Sequence, residues 1–194
     1  MSSWDDMLSG KPFSCADPEI EAAADRCREV LFDFNHTRDR EAAVAQLRSL
    51  FGRTGQSFWV ETGFHCDYGC NISVGERFYA NAGCVILDEC PVTFGRDCML
   101  GPHVGIYTAT HPIEGAQRRL GLEYGRPVTI GDDVWIGGHA VINPGVSRRS
   151  CDAGSDHRQQ RGGGLRSGGH PRRTGSLRGG GQSRQNHQTI GWSS

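Results

Sequence analysis

No stretch of this 194-residue chain reaches the ~18 consecutive apolar residues that a membrane-spanning helix requires. Its first residues also lack a basic segment followed by an apolar run, the pattern of a secretory signal. A cytoplasmic protein with no membrane partner is therefore expected. Metal-ligand spacing is lacking as well. Cys66-x3-Cys70 has no second pair to complete a zinc site. His65, His103 and His111 do not reproduce the spacing of a three-histidine zinc site shared between subunits. No metal is expected. The length allows one main domain with appendages.

Charge of one sign is scarce only on average. The net charge is -1, yet residues 1–147 hold 12 Arg and Lys against 20 Asp and Glu, and residues 148–194 hold 9 Arg against 2 Asp. The chain thus divides into an acidic body and a basic end.

What is present is a six-residue period. Val128–Val146 reads V-T-I-G-D-D-V-W-I-G-G-H-A-V-I-N-P-G-V. Ile130, Ile136 and Ile142 recur at six-residue intervals, with Val134, Ala140 and Val146 four places after each. Six residues are too few for a helical repeat. They fit a coil of flat strands whose aliphatic residues point inward. Upstream, units start at Val74, Ala80 and Ile86, then resume after a two-residue slip at Phe94, Leu100 and Ile106. The inward slot four places on holds Phe78, Cys84, Cys90, Cys98 and Val104, and Cys66 fits it further back. A free cysteine in such a slot behaves as a small buried hydrophobe. Residues 108–127 break the pattern and contain His111. A loop that interrupts a rigid solenoid is a place for chemistry.

Residues 1–56 read as a helical segment. Asp17-Pro18-Glu19 is a capping Asp, a Pro at the first position and an acid in the first turn. Ile20, Ala23, Cys27, Val30, Leu31 and Phe34 then mark one apolar face, ending at Asn35-His36. A second helix is expected from about Asp39 to Phe51, stopped by Gly52. Two short helices make no core alone, so they are expected to cover the open first turn of the coil.

Residues 57–147 are the repeat domain. Residues 148–194 differ in kind, with 11 Gly and 9 Arg. At face value they form a disordered basic tail, and an Arg/Gly segment can bind RNA. A shifted reading frame explains them better. One base forward, codons for His157–Gly164 encode I-G-N-N-A-V-V, another repeat unit. The same shift over Gly168–Gln188 permits V-V-T-R-D-V-P-A-R-C-V-V-A-G-N-P-A-K-I-I-R. Nucleic acid is therefore not the expected partner.

Several motifs resemble one known family. They are F-N-H at 34–36, C-D-Y-G at 66–69, F-Y-A-N at 78–81, T-A-T-H-P at 108–112, G-R-P-V-T-I-G at 125–131 and W-I-G-G at 135–138. They resemble the maltose and galactoside O-acetyltransferases, which are hexapeptide-repeat enzymes. The resemblance covers residues 4–147. It implies a mainly β fold, a left-handed parallel β-helix, assembled as a homotrimer with active sites between subunits. It also implies acetyl transfer from acetyl-CoA to a hydroxyl of a small sugar.

The same resemblance assigns roles. His111 matches the family's catalytic histidine, and a hydroxyl needs a base to take its proton as it attacks a thioester. Tyr79 and Asn81 match acceptor-binding residues. With Asp88 and Glu89 they fall around one repeat turn, and a sugar needs several hydrogen-bonding groups on one surface. Asp67 and Glu89 stand where the galactoside enzyme has Ser and Asp ligands. Glu123 is a candidate to orient His111. Trp135 and Gly138 flank the groove expected to take the pantetheine arm of acetyl-CoA.

Overall fold

The computed structural model describes residues 2–148. The expectations for the basic tail and its shifted frame concern residues outside that range, the Arg148 backbone aside.

The chain opens with α1 (Ser3–Leu8), β1 (Phe13–Ser14), α2 (Pro18–His36) and α3 (Arg40–Leu50). Asp17 caps α2 through the Glu19 amide, with Pro18 at the first position, and Asp39 caps α3 through the Ala42 amide. The helix α1 and strand β1 extend the N-terminal segment beyond the two helices read from the sequence. Ser2 and Asp5 form a capping box on α1.

The coil follows as β2 (Phe58–Val60), β3 (His65–Cys66), β4 (Ile72–Ser73), β5 (Phe78–Ala80), β6 (Val85–Leu87), β7 (Val92–Phe94), β8 (Met99–Leu100) and β9 (Gly105–Tyr107). An excursion then carries β10 (Ala109–Thr110), α4 (Gly115–Arg118) and β11 (Leu122–Gly125). The coil resumes with β12 (Val128–Ile130), β13 (Trp135–Ile136), β14 (Val141–Ile142) and β15 (Ser147–Arg148). Successive strands fall on three different sheets in rotation. The first face stacks β4, β7, β12 and β15, the second β2, β5, β8 and β13, and the third β3, β6, β9 and β14. Every pairing within a face is parallel. This is a parallel β-helix.

Period-two burial explains the column inside. Phe78 and Ala80 point in while Tyr79 points out, and Val92 and Phe94 do the same around Thr93. Phe58, Phe78 and Phe94 stack along the axis at centroid distances of 6.1 and 5.1 Å. Cys66, Cys84 and Cys98 belong to this core as free thiols. Cys90 does not. It is buried, but against the Met7 carbonyl and beside Thr108 and Gly125, outside the column, whose slot at that level is held by Val92. The reason is a longer corner. Between β6 and β7 the chain takes two extra residues, which is the slip in the sequence period.

The first turn is covered by helices. Cys27, Leu31 and Phe34 of α2 and Val44, Leu47 and Leu50 of α3 join one core with Phe58, Val60 and Phe64. Asn35 ties α2 to the coil, donating to the Phe64 carbonyl (3.0 Å) and accepting from the Gly63 amide (2.8 Å). The F-N-H motif is thus a packing motif. A second small core joins Met7, Phe13, Ile20 and Tyr68.

Candidate active site

The corners joining the third face to the first lie one above another along an edge of the coil. They are residues 67–71, residues 88–91 and the excursion 108–127. Asp88 binds the first two together. Its carboxylate accepts from the amides of Asp67 (3.0 Å), Tyr68 (2.9 Å) and Asn71 (3.3 Å), and its carbonyl accepts from the Asn71 side chain (2.7 Å). Asp88 is fully buried. Burial pushes its acid up to about 6, against the pull of those amides. The side chain is committed to the corner and holds Asp67 in place, so it positions the site instead of facing a ligand. Thr108 binds the third corner in a similar way. Its hydroxyl accepts from the Cys90 amide (2.9 Å) and donates to the Leu87 carbonyl (2.8 Å).

The excursion leaves as β10 and returns as β11, an antiparallel pair with Thr110 opposite Tyr124. His111 and Glu123 are the residues next beyond that pair, and the Tyr124 hydroxyl donates to the His111 carbonyl (3.5 Å). β1 pairs with the other edge of β11, Phe13 opposite Glu123. Glu123 therefore lies on the middle strand of three, paired with Phe13 of the N-terminal strand and next to Tyr124, whose partner is Thr110. Gly125 seats this sheet on the coil. A Cβ there would lie 2.8 Å from Cys90 Sγ and 2.9 Å from the Thr108 carbonyl oxygen.

Glu89 completes the edge. It is 7 % exposed, and its Oε2 has no hydrogen-bond partner; the same holds for Asp67 Oδ2. The Glu89 carboxyl abuts that of Glu123, a contact that is a hydrogen bond only when one of the two holds a proton. Burial first, then this contact and the neighbouring charges, push Glu89 up to about 9. Burial and the charges of Asp88 and Glu123 push Asp67 up to about 7. Two groups not marked in the sequence join them. Burial and Glu123 push the Cys15 thiol up to about 12, and burial followed by Cys15 and the acids raises the Tyr68 phenol. Tyr68 adjoins Asp67 in the C-D-Y-G motif, but no local signal places Cys15 here, because β1 reaches the site through long-range pairing. No ion pair among the described residues involves Asp67, Asp88, Glu89 or Glu123.

The remaining candidates lie elsewhere on the coil. Trp59, Tyr79, Met99 and Trp135 are in register on the outer side of the second face. Trp135 is 75 % exposed. Asn81 lies at the next corner, its Oδ1 accepting from the Ala82 amide (2.8 Å). Gly138 occupies the same column of corners, where a Cβ on Gly101 would come within 2.5 Å of its amide nitrogen. One chain thus gathers Asp67, Asp88, Glu89, Glu123 and His111 on one edge. Tyr79, Asn81, Trp135 and Gly138 form a second group.

Known proteins resemble this arrangement. The family model for the maltose acetyltransferase hexapeptide capping motif matches residues 6–55. Nodulation protein L of Rhizobium meliloti (strain 1021) is 46% identical over 143 residues, 73% of this chain and 78% of that protein. A maltose O-acetyltransferase from Clostridium difficile 630 is 45% identical and superposes with a TM-score of 0.73, covering 75% of this chain and 79% of that one. A galactoside acetyltransferase solved in complex with coenzyme A is 34% identical, also with a TM-score of 0.73, over 76% and 74% of the two chains.

Proposed function

The chain belongs to the maltose and galactoside O-acetyltransferase family, and from that premise we propose that it moves the acetyl group of acetyl-CoA to a hydroxyl of a small sugar of maltose or glucose type, with His111 as general base. The observation that carries this reading is the excursion hairpin. It displays an exposed His111 one residue beyond the Thr110–Tyr124 pair, with Glu123 one residue before Tyr124, above corners lined with hydrogen-bonding groups. In the reaction the acceptor oxygen attacks the thioester carbonyl while the imidazole takes its proton. The C–S bond then breaks, and the imidazolium returns the proton to the departing thiolate. A carboxylate opposite the imidazole favours the charged intermediate form and sets its orientation, which is the role proposed for Glu123.

Two groups of residues on separate parts of one chain support assembly as a homotrimer of left-handed coils. A second copy would bring Tyr79 and Asn81 to the His111 edge of the first. The solved relative with coenzyme A supports acetyl-CoA as donor. Its pantetheine arm would run past Trp135 and the bare backbone at Gly138. The reading needs no metal. It includes a cytoplasmic location and the division into a helical segment at 1–56, a coil at 57–147 and a frame-shifted tail at 148–194.

The test is acetyl transfer by His111→Ala and Asn81→Ala. Loss of a general base lowers kcat by ~10²–10⁴-fold with KM for acetyl-CoA little altered. Asn81→Ala is expected to raise KM for the sugar instead. Wild-type turnover by His111→Ala would remove the histidine from the mechanism.

A further inference from the structure

Two buried thiols meet where α2 covers the first turn of the coil. Cys27 lies on the buried face of α2, and Cys66 ends β3. They are 39 residues apart in the chain, yet their sulfurs are 3.6 Å apart. The Cys27 thiol also donates to the Cys66 carbonyl (3.5 Å). Both are free thiols, and they are 0 % and 1 % exposed. The other buried thiols are placed differently. Cys84, Cys90 and Cys98 donate to the carbonyls of Gly101, Met7 and Gly131.

A disulfide holds its sulfurs at about 2.05 Å, so closure of this pair asks for a movement of about 1.5 Å. We propose that Cys27 and Cys66 form a redox modification site, which a peroxide converts to a disulfide that ties α2 to the coil. The acetyl-transfer reading uses neither sulfur, so the two stand or fall separately.

The chemistry consumes one peroxide. One thiolate attacks a peroxide oxygen and the O–O bond breaks, leaving a sulfenic acid and a hydroxide, which takes up the proton that the thiol lost. The second thiolate attacks the sulfenic sulfur. The S–S bond forms, the S–O bond breaks, and the hydroxide leaves as water with the second thiol's proton. Two electrons pass from the sulfurs to the peroxide, which becomes two waters. Both sulfurs are covered, so peroxide reaches them when α2 lifts from the coil. The Cys27 contact first, then burial, push the Cys66 thiol well up, which keeps it protonated and slow to react while the helix is seated. A thiol reductant reverses the bond by exchange.

The test treats the reduced full chain with hydrogen peroxide, blocks the remaining thiols and maps the peptides without reduction. The expected product is one dominant link, Cys27 to Cys66, within a single chain. Oxidation of the urea-denatured chain should scatter the links among all eight cysteines. The link should raise Tm by about 5–15 °C, as for a loop of this length, and dithiothreitol should remove the gain. Cys27→Ala and Cys27→Val keep the helix face apolar and should show neither link nor gain. If neither variant folds, the map of the wild type decides alone. A dominant link from Cys66 to Cys70, or between two chains, would overturn the proposal. Oxidation that stops at sulfenic or sulfinic acid would do the same. A Cys27–Cys66 link with unchanged or lower Tm would overturn the tie between helix and coil.

Discussion

Asp88 and Glu89 are adjacent, both buried, and opposite in circumstance. Asp88 has three amides aimed at its carboxylate, so its charge is met by fixed donors. Glu89 faces another acid and has an oxygen with no donor. The difference has a consequence for stability. Asp67 and Glu89 hold protons more tightly in the folded protein than in the unfolded chain, where acids titrate near about 4. Their contribution is fully present below that pH. It is lost as pH rises through about 7 for Asp67 and about 9 for Glu89. Tm should therefore fall between pH 5 and pH 9. Glu89→Gln should flatten that fall and raise Tm most at the alkaline end. Parallel Tm profiles for the two proteins would show that Glu89 does not titrate in this window.

At the scale of elements, the coil is held by close backbone approach between turns. Gly95 illustrates it. A Cβ there would lie 2.7 Å from the Asp132 amide nitrogen and 2.7 Å from the Gly131 carbonyl carbon, both backbone atoms of the turn above. Those atoms cannot rotate away. Gly95→Ala should lower stability by about 1–3 kcal/mol through forced separation of turns, measured as a shift in denaturant midpoint. An unchanged midpoint would mean that the turns yield freely. This element was legible because an inward slot every few residues imposes a repeating composition on the chain. The start of α2 was legible for a local reason too, since Asp17 and Pro18 act on their own neighbours. Cys90 was misplaced because a period carries no information about a corner two residues longer. Its burial comes from Met7, far away in the chain. The helix α1 carried its Ser2–Asp5 capping signature, which was readable. Strand β1 carried none, as its partner is β11 across more than a hundred residues. Of the candidate site, His111 and Asp67 lie in the quoted motifs, Asp88 and Glu89 were marked by their place around a repeat turn, and Glu123 only as a candidate partner of the histidine. Their separation from Tyr79 and Asn81 on one chain was not, because motifs do not report which corner of a coil they occupy.

At the scale of the whole molecule, the coil changes along its axis. Within the described residues, burial loosens upward: Ile130 is 2 % exposed, Ile136 8 %, and Ile142 is only partly buried. Gly137 stands at the position equivalent to Gly101, yet a Cβ there meets no described residue within 4 Å, whereas one on Gly101 meets the Gly138 backbone. In the shifted frame, codons 157–164 supply a further repeat unit, and such a unit would close over Gly137 as the Gly137–Gly138 turn closes over Gly101. The two readings of the gene then differ in a way a single substitution detects. In the chain as written, where no described residue covers it, Gly137→Ala is expected to change stability by no more than about 0.5 kcal/mol. In the frame-corrected chain it should be destabilising by about 1–3 kcal/mol, as for Gly95→Ala. The corrected chain should also be the more active on maltose, glucose and a galactoside, because added turns extend the groove past Trp135 and Gly138. Equal activity of the two chains, with Gly137→Ala silent in both, would show that no turn is missing and that the basic segment belongs to the working protein.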